Sequence, residues 1–176
     1  MEIIKTSIEG LVVIQPRVLE DERGYFMESY KESFIKENFP NINFIQDNES
    51  KSTFGVLRGL HFQKPPFEQT KLVRVVEGEV LDVAVDIRKD STTYGKWESI
   101  ILSGENKKQF LIPRGFAHGF VVLSEYCVFS YKVDNPYSPI HEDGIRYDNN
   151  QLNIDWKIEN HNIKVSNRDQ KLNLKL

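Results

Sequence analysis

The stretch Glu79–Ile87, E-V-L-D-V-A-V-D-I, limits what this chain can fold into more than any other. Leu81, Val83, Val85 and Ile87 fall on one face of a period-two pattern, and Val80, Asp82, Ala84 and Asp86 on the other. Only a β-strand sends neighbouring side chains to opposite faces in this way. Nearby segments behave alike. Trp97–Leu102, Gln109–Ile112 and Phe116–Leu123 read as strands, and Glu125–Lys132 alternates with Cys127, Phe129 and Tyr131 on one face. Gly78, Gly95, Gly104 and Pro113-Arg114-Gly115 punctuate them. Upstream, Gly10–Ile14 and Tyr25–Tyr30 read as strands around a turn at Asp21–Gly24, with Glu28 in the second. Lys31–Asn38 reads as a short helix stopped by Pro40, and Asn43–Gln46 as extended chain. Short strands with turn signals roughly every ten residues specify an all-β sandwich or barrel. The Leu81 face is expected to pack inside it. Beyond Asn135 the chain is irregular and polar, with Trp156 as its main apolar anchor. That tail is expected to fold over the barrel as loops and short helices.

At 176 residues the chain has the size of one domain, taken as 1–176 with a barrel core of about 40–135. Its net charge of -3 gives no reason to expect nucleic acid or an anionic membrane as partner. Cys127 is the only cysteine, so no internal disulfide can form, which fits a reducing compartment. The start, M-E-I-I-K-T, has no signal-peptide pattern, and no apolar run approaches the ~18 residues of a membrane span. A cytoplasmic protein is expected.

The chemistry concentrates in Gly55–Lys71, G-V-L-R-G-L-H-F-Q-K-P-P-F-E-Q-T-K. Arg58 offers a planar fork of donors that suits a phosphate. His61 is an imidazole, a group whose unperturbed pKa near ~6.5 lets it take and give protons at neutral pH. Lys71 is a compact cation suited to a developing oxyanion. Together they point to proton abstraction beside a carbonyl on a phosphorylated substrate. A half-exposed strand pair with solvated charges accounts for the same residues equally well. Arg58 and His61 have opposite parity, so a bulge or strand end must lie between them if both face one cavity.

Other residues are weaker signals singly. Tyr131 is also a core tyrosine, His118 a structural histidine beside a tight turn, and Tyr137 loop packing. Arg23 and Glu28 equally make an ordinary surface pair. A metal site lacks ligands, because Phe62 and Gln63 follow His61 where a second histidine would be needed. Cys127 has no basic neighbour to activate it as a nucleophile.

Combined, the motifs are specific. They are D-E-R-G-Y-F (21–26), Q-D-N-E-S (46–50), G-V-L-R-G-L-H-F-Q (55–63) and Q-T-K-L-V-R-V-V-E-G (69–78). V-D-I-R-K-D-S-T-T-Y-G-K-W (85–97), I-P-R-G-F-A-H-G-F (112–120) and Y-S-P-I-H-E-D-G-I-R-Y (137–147) complete the set. With them the sequence resembles the dTDP-4-dehydrorhamnose 3,5-epimerase family over nearly its whole length. The resemblance implies a cupin-type jelly-roll barrel with a few short helices, a homodimer that exchanges N-terminal segments, and no cofactor or metal. It implies that His61 is the general base and Asp169 the carboxylate that orients it. Tyr131 becomes the acid on the opposite face of the sugar, and Lys71 the residue that stabilises the enolate oxygen. Arg23, Glu28, Gln46, Asn48, Arg58, His118 and Glu142 fall where the family contacts the dTDP-sugar. Tyr137 falls where an aromatic ring stacks on thymine. Arg168 stands where the family usually has lysine, which keeps the charge with a different geometry.

General chemistry agrees with this set. A C4 ketone acidifies the protons on C3 and C5, and inversion needs a base on one face and an acid on the other. Three rivals remain: an epimerase of one centre only, a non-catalytic sugar-nucleotide binding module, and a metal-dependent cupin oxygenase.

Overall fold

Through the middle of this chain most successive strands fall in different sheets, and that division creates the interior. The computed structural model describes residues 1–173. Its strands are β1 (Glu2–Lys5), β2 (Val12–Gln15), β3 (Val18–Asp21), β4 (Gly24–Met27), β5 (Gln46–Thr53), β6 (Val56–Gln63) and β7 (Lys71–Glu77). They continue with β8 (Glu79–Asp86), β9 (Trp97–Ser103), β10 (Gln109–Ile112), β11 (Phe116–Val122), β12 (Tyr126–Val133), β13 (Glu142–Gly144) and β14 (Lys164–Val165). One helix, α1 (Glu32–Asn38), and two short 3-10 turns accompany them. The first sheet runs β1-β2-β10-β7-β12-β5, and the second β13-β6-β11-β8-β9 with β14 beside β6. The strands from β5 to β12 thus divide between facing antiparallel sheets in the order of a jelly roll.

Three apolar layers follow. Val73, Val75, Phe110 and Phe129 of the first sheet meet Val80, Ala84, Leu102 and Phe120 of the second between the sheets. Outside the second sheet, Leu81, Val83 and Val85 pack under Ile145, Leu152 and Trp156 of the C-terminal segment. Outside the first, Ile14, Leu72 and Leu111 are covered by Ile35 of α1. The expectation that the Leu81 face lines the barrel interior is therefore wrong. That face is buried but points outward, and Val80, Asp82 and Ala84 point in. Alternation specifies which residues share a side, while the apolar tail that covers one side decides which is inside. The tail is tied down by Trp156, whose indole N–H donates to the Tyr147 carbonyl at 3.0 Å, and by Trp97, which donates to Leu152 O at 2.8 Å.

Other boundaries differ locally. β4 ends at Met27, so Glu28 lies beyond it. β5 begins at Gln46 and runs on through Thr53, where the polar run D-N-E-S-K-S-T hid a strand. β3 and β4 form a separate hairpin on which Leu19, Tyr25 and Phe26 are exposed.

The bulge required between Arg58 and His61 exists. His118 pairs with His61 while Phe120 pairs with Arg58, so two steps on β11 span three on β6. Gly59 sits in this bulge at φ +128, and a Cβ there would lie 2.5 Å from Gly119 Cα and 2.7 Å from the His118 carbonyl. Both obstacles are backbone and cannot swing away. Gly59→Ala is expected to destabilise the fold by about 2–4 kcal/mol. Urea unfolding measures this, and an unchanged midpoint would contradict the packing described.

Candidate active site

A cavity of about 570 Å³ opens between the sheets. Lys71, at the start of β7, and Tyr131, on β12, line it from the first sheet; Arg58 and His61 of β6 and His118 of β11 line it from the second. Arg168 and Asp169 close it from the C-terminal segment. Tyr131 shares its strand face with Phe129 and Cys127, which fill the barrel interior, so the tyrosine continues that row into the cavity.

His61 Nε2 lies 2.7 Å from Asp169 Oδ1, across 108 residues of sequence. Asp169 is 4% exposed. The Gly59 N–H donates to its other oxygen at 3.4 Å, and its own N–H donates to Ser166 Oγ at 3.0 Å. Burial alone would raise this carboxyl, but the hydrogen bonds from His61 and Gly59 outweigh it and hold the group below its ordinary range. An ionised carboxylate only accepts, so Nε2 carries the hydrogen and Nδ1 keeps its lone pair.

Burial lowers Lys71 from 10.5 to about 8, against an opposing pull from Asp82. Its Nζ has no protein hydrogen bond among the described residues. At neutral pH it is a cation facing the cavity, held at a value close to working pH. Burial raises the Tyr131 phenol, with Arg58 acting the other way, so the hydroxyl keeps its proton at neutral pH. Arg58 is steadied by Nε donating to Ser52 Oγ at 3.0 Å. The protonated form of Lys71 is the one that can stabilise an oxyanion. Its contribution is complete below about 8 and lost as pH rises through that value. The turnover profile is expected to fall on its alkaline side near there. A profile flat to pH 10 would remove Lys71 from the chemistry.

The remaining expected residues divide into three groups. Asn48 pairs with Tyr131 and Gln46 with Val133 along β5, and Gln46 Nε2 donates to Asn48 Oδ1 at 2.8 Å, beside the cavity wall. Tyr137, Glu142 and Arg168 form a cluster: the Tyr137 hydroxyl donates to Glu142, Arg168 pairs with Glu142, and Arg168 reaches the Tyr137 oxygen at 3.5 Å. Through Arg168 this cluster adjoins the cavity. Arg23 and Glu28 do not line it within this chain. The Arg23 side chain is 85% exposed and pairs with Asp21, and Glu28 pairs with Lys31. Among the described residues, no three His, Cys, Asp or Glu side chains gather as a ligand set.

Sequence reasoning missed Asp82. His118 Nε2 lies 2.9 Å from each of its oxygens, and Asp82 is fully buried. Its signal was present, as a charge on the strand face otherwise made of Val80 and Ala84. Ser166, which accepts from the Asp169 N–H, carried no signal.

Jelly roll and cavity together define an acid–base enzyme: a carboxylate-backed histidine and a protonated tyrosine reach one cavity from opposite sheets, with a cationic lysine on its wall. The family model for dTDP-4-dehydrorhamnose 3,5-epimerase matches residues 5–175, and the chain belongs to this family. The dTDP-4-dehydrorhamnose 3,5-epimerase of Methanothermobacter thermautotrophicus is 53% identical over 89% of this chain and 84% of its own. The crystal structure of the Elizabethkingia anophelis enzyme of that name superposes with a TM-score of 0.93 at 51% identity, covering 98% of this chain and 94% of the other. The dTDP-6-deoxy-D-glucose-3,5-epimerase of Legionella pneumophila, solved with dTDP-4-keto-L-rhamnose, superposes with a TM-score of 0.93 at 48% identity, covering 97% and 90%.

Proposed function

We propose that this protein inverts C3 and C5 of dTDP-4-dehydro-6-deoxy-D-glucose to give dTDP-4-dehydro-L-rhamnose. The observation that carries the reading is that His61 and Tyr131 enter one cavity from opposite sheets. His61 Nδ1 takes the proton from the carbon beside the ketone, and the C–H electron pair moves onto O4 as an enolate. Lys71 stabilises that oxygen, where electrostatic stabilisation is often the largest single term. The Tyr131 hydroxyl then delivers a proton to the other face of the carbon, and the configuration inverts. Asp169 holds the His61 ring and balances the imidazolium that forms. The carbon skeleton keeps its oxidation state, so proton transfer completes the reaction. Arg58, His118, Gln46, Asn48, Glu142 and Arg168 contact the nucleotide sugar in this reading, and Tyr137 stacks on thymine.

The same reading includes a cytoplasmic homodimer. The exposed Leu19, Tyr25 and Phe26 on the β3–β4 hairpin support it, since a partner would cover them. Arg23 and Glu28 then serve the neighbouring subunit's cavity. Light scattering is expected to give twice the chain mass at micromolar concentration, and a monomer would count against it.

The deciding experiment is incubation with dTDP-4-dehydro-6-deoxy-D-glucose in deuterated water, coupled to an NADPH-dependent reductase. Deuterium is expected at both C3 and C5, with NADPH consumed. Exchange at one carbon only would reduce the activity to a single-centre epimerase, and no exchange would refute the reading.

A further inference from the structure

Asp82 is an unusual residue for the inside of a barrel. It points between the sheets from β8, on the strand face of Val80 and Ala84, which lie within the central apolar cluster. It is fully buried, and its only hydrogen-bond partner among the described residues is His118 Nε2, 2.9 Å from both carboxylate oxygens. A buried carboxylate without compensation is strongly disfavoured, so its counter-charge must be close by. Two groups can supply it: His118 itself, or Lys71, which lines the cavity together with His118.

The surroundings choose between them. Burial lowers His118 and favours the neutral ring, with Asp82 opposing and Lys71 and His61 acting the same way as burial. A neutral imidazole facing a carboxylate must donate from Nε2, which leaves Nδ1 unprotonated. His118 lines the cavity, and among the described residues no buried side-chain nitrogen or oxygen is left unpartnered and Nδ1 has no protein partner, so Nδ1 opens on the cavity as an acceptor. The charge then falls to Lys71, whose ammonium Asp82 favours. The charged and titratable groups facing this pair are His118 of β11, His61 and Arg58 of β6, Tyr131 and Cys127 of β12, Glu49 of β5, Lys164 of β14, and Arg168 and Asp169 of the C-terminal segment. Of the three carboxylates here, Asp169 is already held by His61 and the Gly59 N–H, and Glu49 is exposed. β9 and β10 contribute apolar Leu102, Phe110 and Ile112.

We propose that Asp82 is a positioning residue of this active site: it locks His118 as an Nε2–H donor and serves as the buried counter-charge that keeps the Lys71 side chain an ammonium. Asp82 touches no substrate in this arrangement. It acts through two residues that do, and the catalytic part of the proposal rests on the epimerase reading above.

Asp82→Asn tests it, because the amide keeps the shape and removes the charge. An opposite charge raises the pKa of a nearby ammonium, and Asp82 is the charge that opposes the lowering of Lys71. The alkaline limb of turnover is therefore expected to move down by about one unit, with a loss of roughly 5-fold at pH 8 that shrinks as pH is lowered. The ε-carbon resonance of Lys71, followed by NMR in protein carrying carbon-13 lysine, should titrate lower by the same amount. That readout needs no turnover, so it separates failure of this proposal from failure of the epimerase reading. Activity reduced equally at every pH, with the Lys71 titration unmoved, would overturn the proposal. If the variant does not fold, nitrogen-15 NMR of His118 in the unaltered protein decides. A neutral ring protonated at Nε2 at pH 7 supports the proposal, and an Nδ1–H ring or an imidazolium overturns it.

Discussion

Replacing His61 with alanine is expected to lower turnover by ~100- to ~10,000-fold, the range that a positioned general base contributes. Exchange of solvent deuterium into the sugar should fall with it at both carbons, because the imidazole that Asp169 backs is the base in this reading. His118 is buried in the barrel wall with its Nε2 bound to Asp82, and its Nδ1 faces the nucleotide sugar rather than the reacting carbon in this reading. The protein should remain folded, since His61 lies at the cavity and its loss leaves the three apolar layers in place. Asp169→Asn should be milder. The imidazole stays, but the amide cannot balance an imidazolium and offers a donor where Nε2–H needs an acceptor. Near-normal turnover in His61→Ala would remove the base from the mechanism.

Tyr131→Phe is expected to separate exchange from inversion. The substitution removes one hydroxyl and leaves a ring that continues the row of Phe129 and Cys127, so little stability should be lost. His61 on the facing sheet can still form the enolate and return a proton from its own side. Solvent deuterium should therefore enter the sugar at a rate close to that of the unaltered protein. Inverted product should fall by ~100-fold or more, because the far face has lost its proton donor. NMR of the same sample reads both quantities, isotope content and stereochemistry. Exchange abolished as fully as in His61→Ala would mean that Tyr131 is not a separate acid on the opposite wall.

The two variants rest on different kinds of knowledge. That Tyr131 shares a strand face with Cys127 and Phe129 is visible in Glu125–Lys132, because alternation is a property of the extended backbone itself. That His61 meets Asp169 is visible nowhere locally: the pair spans 108 residues, and the segment carrying Asp169 has no periodicity. Only the resemblance to the family pointed to it. Parity required a bulge between Arg58 and His61, and the structure locates it at Gly59, where two backbones approach too closely for a side chain.

By itself, then, the sequence determined the strands from Glu79 to Lys132, the residues that share each face, and the basic chemistry of Gly55–Lys71. Its polar strand β5, the short β1 and β3 near the start and β13 and β14 near the end escaped, because their composition lacks the apolar alternation that marks a half-buried strand. Only the tertiary structure decided which face of β8 is interior. Leu81, Val83 and Val85 are the more apolar set, yet they face outward because Ile145, Leu152 and Trp156 cover them. Asp82, on the less apolar face, is the one carried into the barrel beside His118. A strand's period depends on its own backbone, but its inside is defined by whatever other segments pack against it. Those segments lie tens of residues away in sequence, beyond the reach of any local pattern.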